Sequence, residues 1–160
     1  MAEAGSYTFS YRRMRRDDLT PADLELVDLA ARAAYSAYAP YSNFFVGAAL
    51  RLKDGSVVTG NNQENASFPA GICAERSALH AAMSANSQGV VATMAVVVPQ
   101  VKGDVPVSPC GICRQALLEQ EFRQGEALRV LLATAEGTVV EITKAGDLLP
   151  LHFDRSFLKA

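Results

Sequence analysis

Long apolar runs are missing from this chain. No stretch approaches the roughly 20 residues that a bilayer span requires, so no membrane-crossing segment is expected. Met1 to Arg16 holds no continuous apolar core and does not read as a signal peptide. Cysteine is scarce: three residues cannot form a complete disulfide framework. An excess of basic charge is absent too. Fifteen Lys and Arg against 17 Asp and Glu leave a net charge of −2, which argues against a nucleic-acid partner. There is no internal repeat, low-complexity stretch or linker. Two of the cysteines form a Cys-x-x-Cys, which in a reducing compartment reads as metal-binding or redox, so the expected location is the cytoplasm.

What is present suits one α/β domain spanning residues 1–160. The chain is 49% hydrophobic and 20% charged, enough to build one proper core. Its one basic run, Arg12-Arg13-Met14-Arg15-Arg16, meets Asp17-Asp18 at once and reads as a solvated lead-in to the first helix. Thr20-Pro21-Ala22-Asp23 is a helix start, with Thr20 as cap and Pro21 at the first helical position. That helix should stop before Pro40. Phe45 to Leu52 reads as a strand, Asp54-Gly55 as a hairpin turn and Ser56 to Gly60 as the returning strand. A loop from Asn61 to Gly71 leads to a second helix near Cys73. Val90 to Val98 is nearly continuously apolar, as in a strand buried on both faces. A third helix runs from Cys110 to about Phe122. Leu128 to Ala133 and Thr138 to Thr143 follow as strands around a Glu136-Gly137 turn. The expected architecture is helices layered on a mixed sheet of about five strands.

The chemistry gathers at the cysteines. Cys110 and Cys113 are three apart in the first turn of one helix and point the same way, while Cys73 opens another. A helix N-terminus favours thiolate over thiol, and zinc needs thiolates. No fourth ligand stands out. His80 lies two turns along the second helix, and His152 lies near the C-terminus, outside any ligand spacing. Three protein ligands with one open position is the pattern of a catalytic zinc, whose water has a pKa near ~7. Glu75 points away from its neighbour Cys73 and could shuttle a proton between that water and a substrate nitrogen. Arg76 could donate hydrogen bonds to the sulfurs and offset their charge. A Cys-x-x-Cys alone is equally a redox pair, a structural zinc site or two buried cysteines. The upstream Cys73-x-Glu75, with no cysteine left over, is what favours catalysis. Taken singly, Glu75 reads as a first-turn acid serving the helix dipole and Arg76 as a surface charge.

Cys73-Ala74-Glu75-Arg76 together with Pro109-Cys110-Gly111-Ile112-Cys113-Arg114-Gln115 resembles the cytidine deaminase family, whose glutamate is general acid/base rather than ligand. The all-cysteine site looks like the free-nucleoside branch. The likeness continues in Ala39-Pro40-Tyr41-Ser42-Asn43-Phe44-Phe45-Val46-Gly47-Ala48-Ala49-Leu50, in Gly60-Asn61-Asn62-Gln63-Glu64-Asn65 and in Leu148-Leu149-Pro150-Leu151-His152-Phe153. It covers roughly residues 20 to 155.

This resemblance implies a three-layer α-β-α sandwich and one Zn2+ per subunit on Cys73, Cys110 and Cys113. It implies hydrolysis of cytidine and deoxycytidine to the uridines and ammonia, as in pyrimidine salvage. Asn62 and Glu64 would hydrogen-bond the ribose hydroxyls, Phe44 would pack on the pyrimidine, and the backbone of Ala74 would contact the base carbonyl. Phe153 would reach a neighbouring subunit's site in a homotetramer. Three places depart from the family pattern: Phe45, the run Ser67-Phe68-Pro69-Ala70-Gly71-Ile72, and the extension Tyr7 to Arg16 within residues 1–18. The rival readings are a same-fold deaminase of another amine, such as blasticidin S, a polynucleotide base editor, and a non-catalytic zinc or redox protein. Asn62-Gln63-Glu64-Asn65 favours an unmodified ribose over the first. The charge and the all-cysteine site disfavour the second.

Overall fold

The computed structural model describes residues 2–158; Met1, Lys159 and Ala160, the ends of the expected domain, lie outside the described residues. Helix α1 (Pro21–Ala34) begins as its residues dictate: Thr20 Oγ1 accepts the backbone N–H of Asp23 at 3.2 Å, and Pro21 takes the first position, where no N–H is needed. Strands β2 (Gly47–Leu52) and β3 (Val57–Asn61) form the expected hairpin. Its turn needs the freedom of Gly55, at φ 88°. Strand β4 (Val91–Val98) lies between β2, to which it is antiparallel, and β5 (Arg129–Thr134), to which it is parallel. A strand with neighbours on both sides and helices on both faces is apolar almost throughout, and β4 is. Strand β6 (Thr138–Ile142) returns antiparallel to β5.

The sheet has six strands rather than about five, in the order β1-β6-β5-β4-β2-β3. The additional strand, β1 (Tyr11–Arg15), comes from the extension and pairs antiparallel with β6. Arg12, Arg13 and Arg15 are exposed, as the reading of a solvated run expects, but most of that run is an edge strand rather than a lead-in to the first helix. Its partners are far away in sequence. Arg12 pairs with Glu141, which is buried and also accepts from Arg129 at 3.0 Å; Arg129 in turn pairs with Asp23 on α1. A buried carboxylate needs such cations, but nothing local to residues 11–15 announces it.

The layers are those expected. Helix α1 covers one face, packing Leu26, Val27 and Ala30 on Ala49, Ala95, Val97 and Leu131. Helices α2 (Ala74–Ala85) and α3 (Gly111–Gln124) cover the other, with Leu79, Met83 and Leu117 against Leu50, Met94, Val130 and Ile142. Two glycines set these distances. A Cβ on Gly47 would lie 1.9 Å from the carbonyl oxygen of Ala30, and one on Gly60 would lie 2.4 Å from the nitrogen of Ala78. Backbone therefore meets backbone where α1 crosses β2 and where α2 crosses β3. No helix among the described residues is long and apolar enough to cross a membrane.

Candidate active site

Cys73 is the N-cap of α2 and Cys110 the N-cap of α3, and neither cap position is used by a side-chain hydrogen bond. Cys113 lies in the first turn of α3, fully buried. The two helix starts meet so that the three sulfurs lie within 4.8 Å of one another, with Cys73 Sγ and Cys110 Sγ 3.8 Å apart. That is too long for a disulfide, whose sulfurs sit at about 2.05 Å. It matches the edge of a tetrahedron built from zinc–sulfur bonds of about 2.3 Å, which is roughly 3.8 Å. All three cysteines are free thiols.

The electrostatics suit a cation. The Cys73 thiol is lowered to about 5, first by a hydrogen bond from Cys113, then by Arg76 and Cys110. The Cys113 thiol is pushed up, because it shares its proton with Cys73 and is buried. Three sulfurs this close cannot all ionise beside one another unless a cation joins them. Arg76 already leans that way. Its guanidinium reaches Cys73 Sγ at 3.9 Å, and its Nε is buried with no hydrogen-bond partner among the described residues. A donor buried without an acceptor is costly, and electron-rich thiolate sulfurs beside it reduce that cost. The residues therefore fit a zinc ion held by three thiolates.

Glu75 lies next to this cluster on the first turn of α2 and is 5% exposed. Burial pushes its carboxyl above the usual range, and the Cys73 charge adds to the rise. Ala74, also buried, opens the helix, where backbone N–H groups have no intrahelical acceptor.

Beside the sulfurs is a cavity of about 560 Å³, within the range of small-molecule sites. Cys73, Arg76, Asn62 and Glu64 all line it. The other two predicted contacts stand further out. Phe44 is 39% exposed on the preceding loop, and Phe153 is exposed near the C-terminus, its carbonyl accepting from Gln115 Nε2 at 2.9 Å. The two histidines stay apart from the cluster. His80 is exposed, and His152 is engaged with Leu149 and Asp154.

Three residues that lie within the family-like blocks matter although no role was expected of them. Arg114 ties the carbonyls of Pro109 and Leu148 and the Ser108 hydroxyl together, each at 2.8–2.9 Å, and so braces the approach to Cys110. Gln115 anchors the tail that carries Phe153. Ser42 donates to Glu64. Each has a partner distant in sequence, Leu148 for Arg114, Phe153 for Gln115 and Glu64 for Ser42, for which spacing alone held no signal.

Residues 21–125 match the family model described as the cytidine and deoxycytidylate deaminase zinc-binding region. The chain belongs to this family. It is 46% identical over 128 residues to the cytidine deaminase of Halalkalibacterium halodurans, covering 80% of this chain and 91% of that one. It is 47% identical over 124 residues to the Mycobacterium tuberculosis cytidine deaminase, at 78% and 84% coverage. The crystal structure of the Burkholderia pseudomallei cytidine deaminase superimposes with a TM-score of 0.72 at 45% identity, covering 81% of this chain and 97% of that one. As a member of this deaminase family the chain is an enzyme with zinc as its cofactor, and the cysteine cluster fits one ion per chain.

Proposed function

We propose that this enzyme hydrolyses cytidine and deoxycytidine to uridine and deoxyuridine with release of ammonia, a step of pyrimidine salvage in the cytoplasm. One observation carries the reading: three thiols converge within 4.8 Å at two helix starts, with the buried Glu75 beside them and a nucleoside-sized cavity in front. When bound by Cys73, Cys110 and Cys113, zinc supplies a water acidic enough to attack at neutral pH.

The rest is done by the chain's own residues. Glu75 takes a proton from the attacking water and delivers it to ring N3. It then takes the second proton, from the hydroxyl now on C4, and gives it to the departing amine, which leaves as ammonia as C4 becomes a carbonyl. A carboxyl raised by burial suits both halves of that exchange, since it can hold the proton between them. The backbone N–H of Ala74 holds the base carbonyl, and Phe44 packs on the pyrimidine. Asn62 and Glu64 hold the sugar hydroxyls. Among the described residues lining the cavity, Arg76 is the one cation and Glu64 the one carboxylate. Arg76 is committed to sulfur, so no guanidinium or ammonium is left for a phosphate. This supports a nucleoside rather than a deoxycytidylate substrate. Phe153 and Phe157 stack at 5.8 Å and are both exposed, which supports their burial against another subunit of a homotetramer.

Ultraviolet-monitored turnover tests the reaction, with purified zinc-loaded protein and parallel arms of cytidine, deoxycytidine, deoxycytidylate and blasticidin S. Conversion of the two nucleosides is expected. Glu75→Ala should keep its zinc and lose about 10²–10⁴-fold in kcat. Zinc-replete protein that leaves cytidine untouched overturns the reading. Light scattering should give the mass of four 17.1 kDa chains.

A further inference from the structure

The segment Tyr41 to Val46 has little regular structure, yet its backbone is tied down atom by atom. Asn62 Oδ1 accepts from the N–H of Val46, and Asn62 Nδ2 donates to the carbonyl of Phe44, both at 2.8 Å. Glu64 Oε2 accepts from the N–H of Tyr41 at 2.9 Å and from that of Ser42 at 3.3 Å. The Ser42 hydroxyl donates to Glu64 Oε1 and itself accepts from the N–H of Phe44 at 3.0 Å. Asn43, between them, turns the chain at φ 54°, a left-handed conformation that asparagine tolerates.

Two consequences follow for Glu64. Both its oxygens are engaged by donors of the Tyr41–Ser42 segment, which fixes the orientation of the carboxylate, and Glu64 and Ser42 both line the cavity. The donors also hold its carboxyl below the usual range, the Ser42 hydroxyl foremost and the Tyr41 N–H next. Of these donors only the hydroxyl belongs to a side chain. A backbone N–H is present whatever residue stands there, so Ser42 is the position at which substitution alters this geometry.

We propose that Ser42 is a positioning residue of the sugar site, its hydroxyl aiming the Glu64 carboxylate at the substrate's sugar hydroxyls. This rests on the reading that Glu64 binds those hydroxyls, and it adds a residue, itself at the cavity wall, that acts through that carboxylate. The hydrogen-bond chain Phe44 N–H, Ser42 O–H, Glu64 carboxylate also joins the proposed base platform to the sugar site, and each link polarises the next.

Competitive inhibition by uridine and by 2′,3′-dideoxyuridine separates this role from simple loop support. In the unmodified enzyme uridine should bind more tightly. Ser42→Ala should weaken uridine by about tenfold, the worth of one hydrogen bond to a charged group. The same substitution should leave dideoxyuridine within about twofold. Ser42→Thr, which keeps the hydroxyl, should restore uridine binding. Ser42 is exposed, so the alanine variant should fold. Equal losses for both ligands, or none for either, overturn the proposal. Glu64→Gln is the control for the underlying reading, and it should also weaken uridine more than dideoxyuridine. If it weakens both equally, the sugar reading fails. If it discriminates and Ser42→Ala does not, that reading stands and Ser42 has no part in it.

Discussion

Arg76, half-buried, turns its guanidinium to sulfur although better acceptors exist in solvent. Its stem lies along α2, and its guanidinium reaches Cys73 while Nε finds no oxygen. Three thiolates on a divalent ion carry one surplus negative charge, and a guanidinium hydrogen-bonded to those sulfurs offsets it. Such support around a metal typically changes affinity by 10–100-fold. Arg76→Gln should therefore weaken zinc by about that factor, read by competition with a chromophoric chelator. Unchanged affinity would reduce Arg76 to packing. Cys110→Ala removes a ligand outright and should abolish stoichiometric zinc. At this scale the sequence was informative about the reacting groups, because cysteines at helix starts and a glutamate beside one have few other joint uses. It held no sign of a role for Ser42 and Arg114, whose partners include atoms 22 and 34 residues away.

Elements carry those groups into register. Strand β3 passes so close to α2 that only a hydrogen fits at Gly60, 2.4 Å from Ala78 N for any added Cβ. This contact brings Asn62 and Glu64, just beyond β3, to the same cavity as Cys73 at the start of α2. Gly60→Ala should push helix from strand and cost about 1–3 kcal/mol in overpacking, read as a lower urea midpoint with an unchanged slope. The KM for cytidine should rise with it, because the sugar side of the cavity moves relative to the sulfurs. A normal midpoint would mean that the backbone relaxes freely there. The elements from Pro21 onward were legible to within a few residues. Proline, Asp-Gly and continuous apolar runs are local signals, and Thr20, Gly55 and β4 obey them. Strand β2 starts at Gly47 rather than Phe45 because Val46 N–H is held by Asn62 instead of by a neighbouring strand. Strand β1 escaped notice because a run of exposed arginines has no apolar alternation, and its partner Glu141 lies far away in sequence.

Across the whole molecule, the two ends of the sheet have different duties. Strand β1 lies at the edge furthest from β3, pairs only with β6, and leaves Arg129 in place as a second partner for Glu141. Its removal should lower the melting temperature by a few degrees and leave kcat/KM for cytidine unchanged. The metal centre sits at the other structural junction. Helices α2 and α3 pack mainly on the sheet and on other elements rather than on each other, yet all three thiols lie at their N-terminal ends. A bound zinc therefore adds a direct staple between two elements that share one core but touch each other little, and it binds the folded chain in preference to the unfolded one. Linkage then stabilises the fold by roughly 4 kcal/mol once free zinc exceeds its dissociation constant about a thousandfold. In a domain of this size that is about 10 °C of melting temperature. Chelation should lower the melting point by about that amount, and returning zinc should restore it. Cys110→Ala should melt near the chelated value and ignore added zinc. If instead the chelated and zinc-loaded proteins melt together, the three thiols do not bridge the helices through a metal, and the mutual repulsion of their sulfurs must be relieved by shared protons alone.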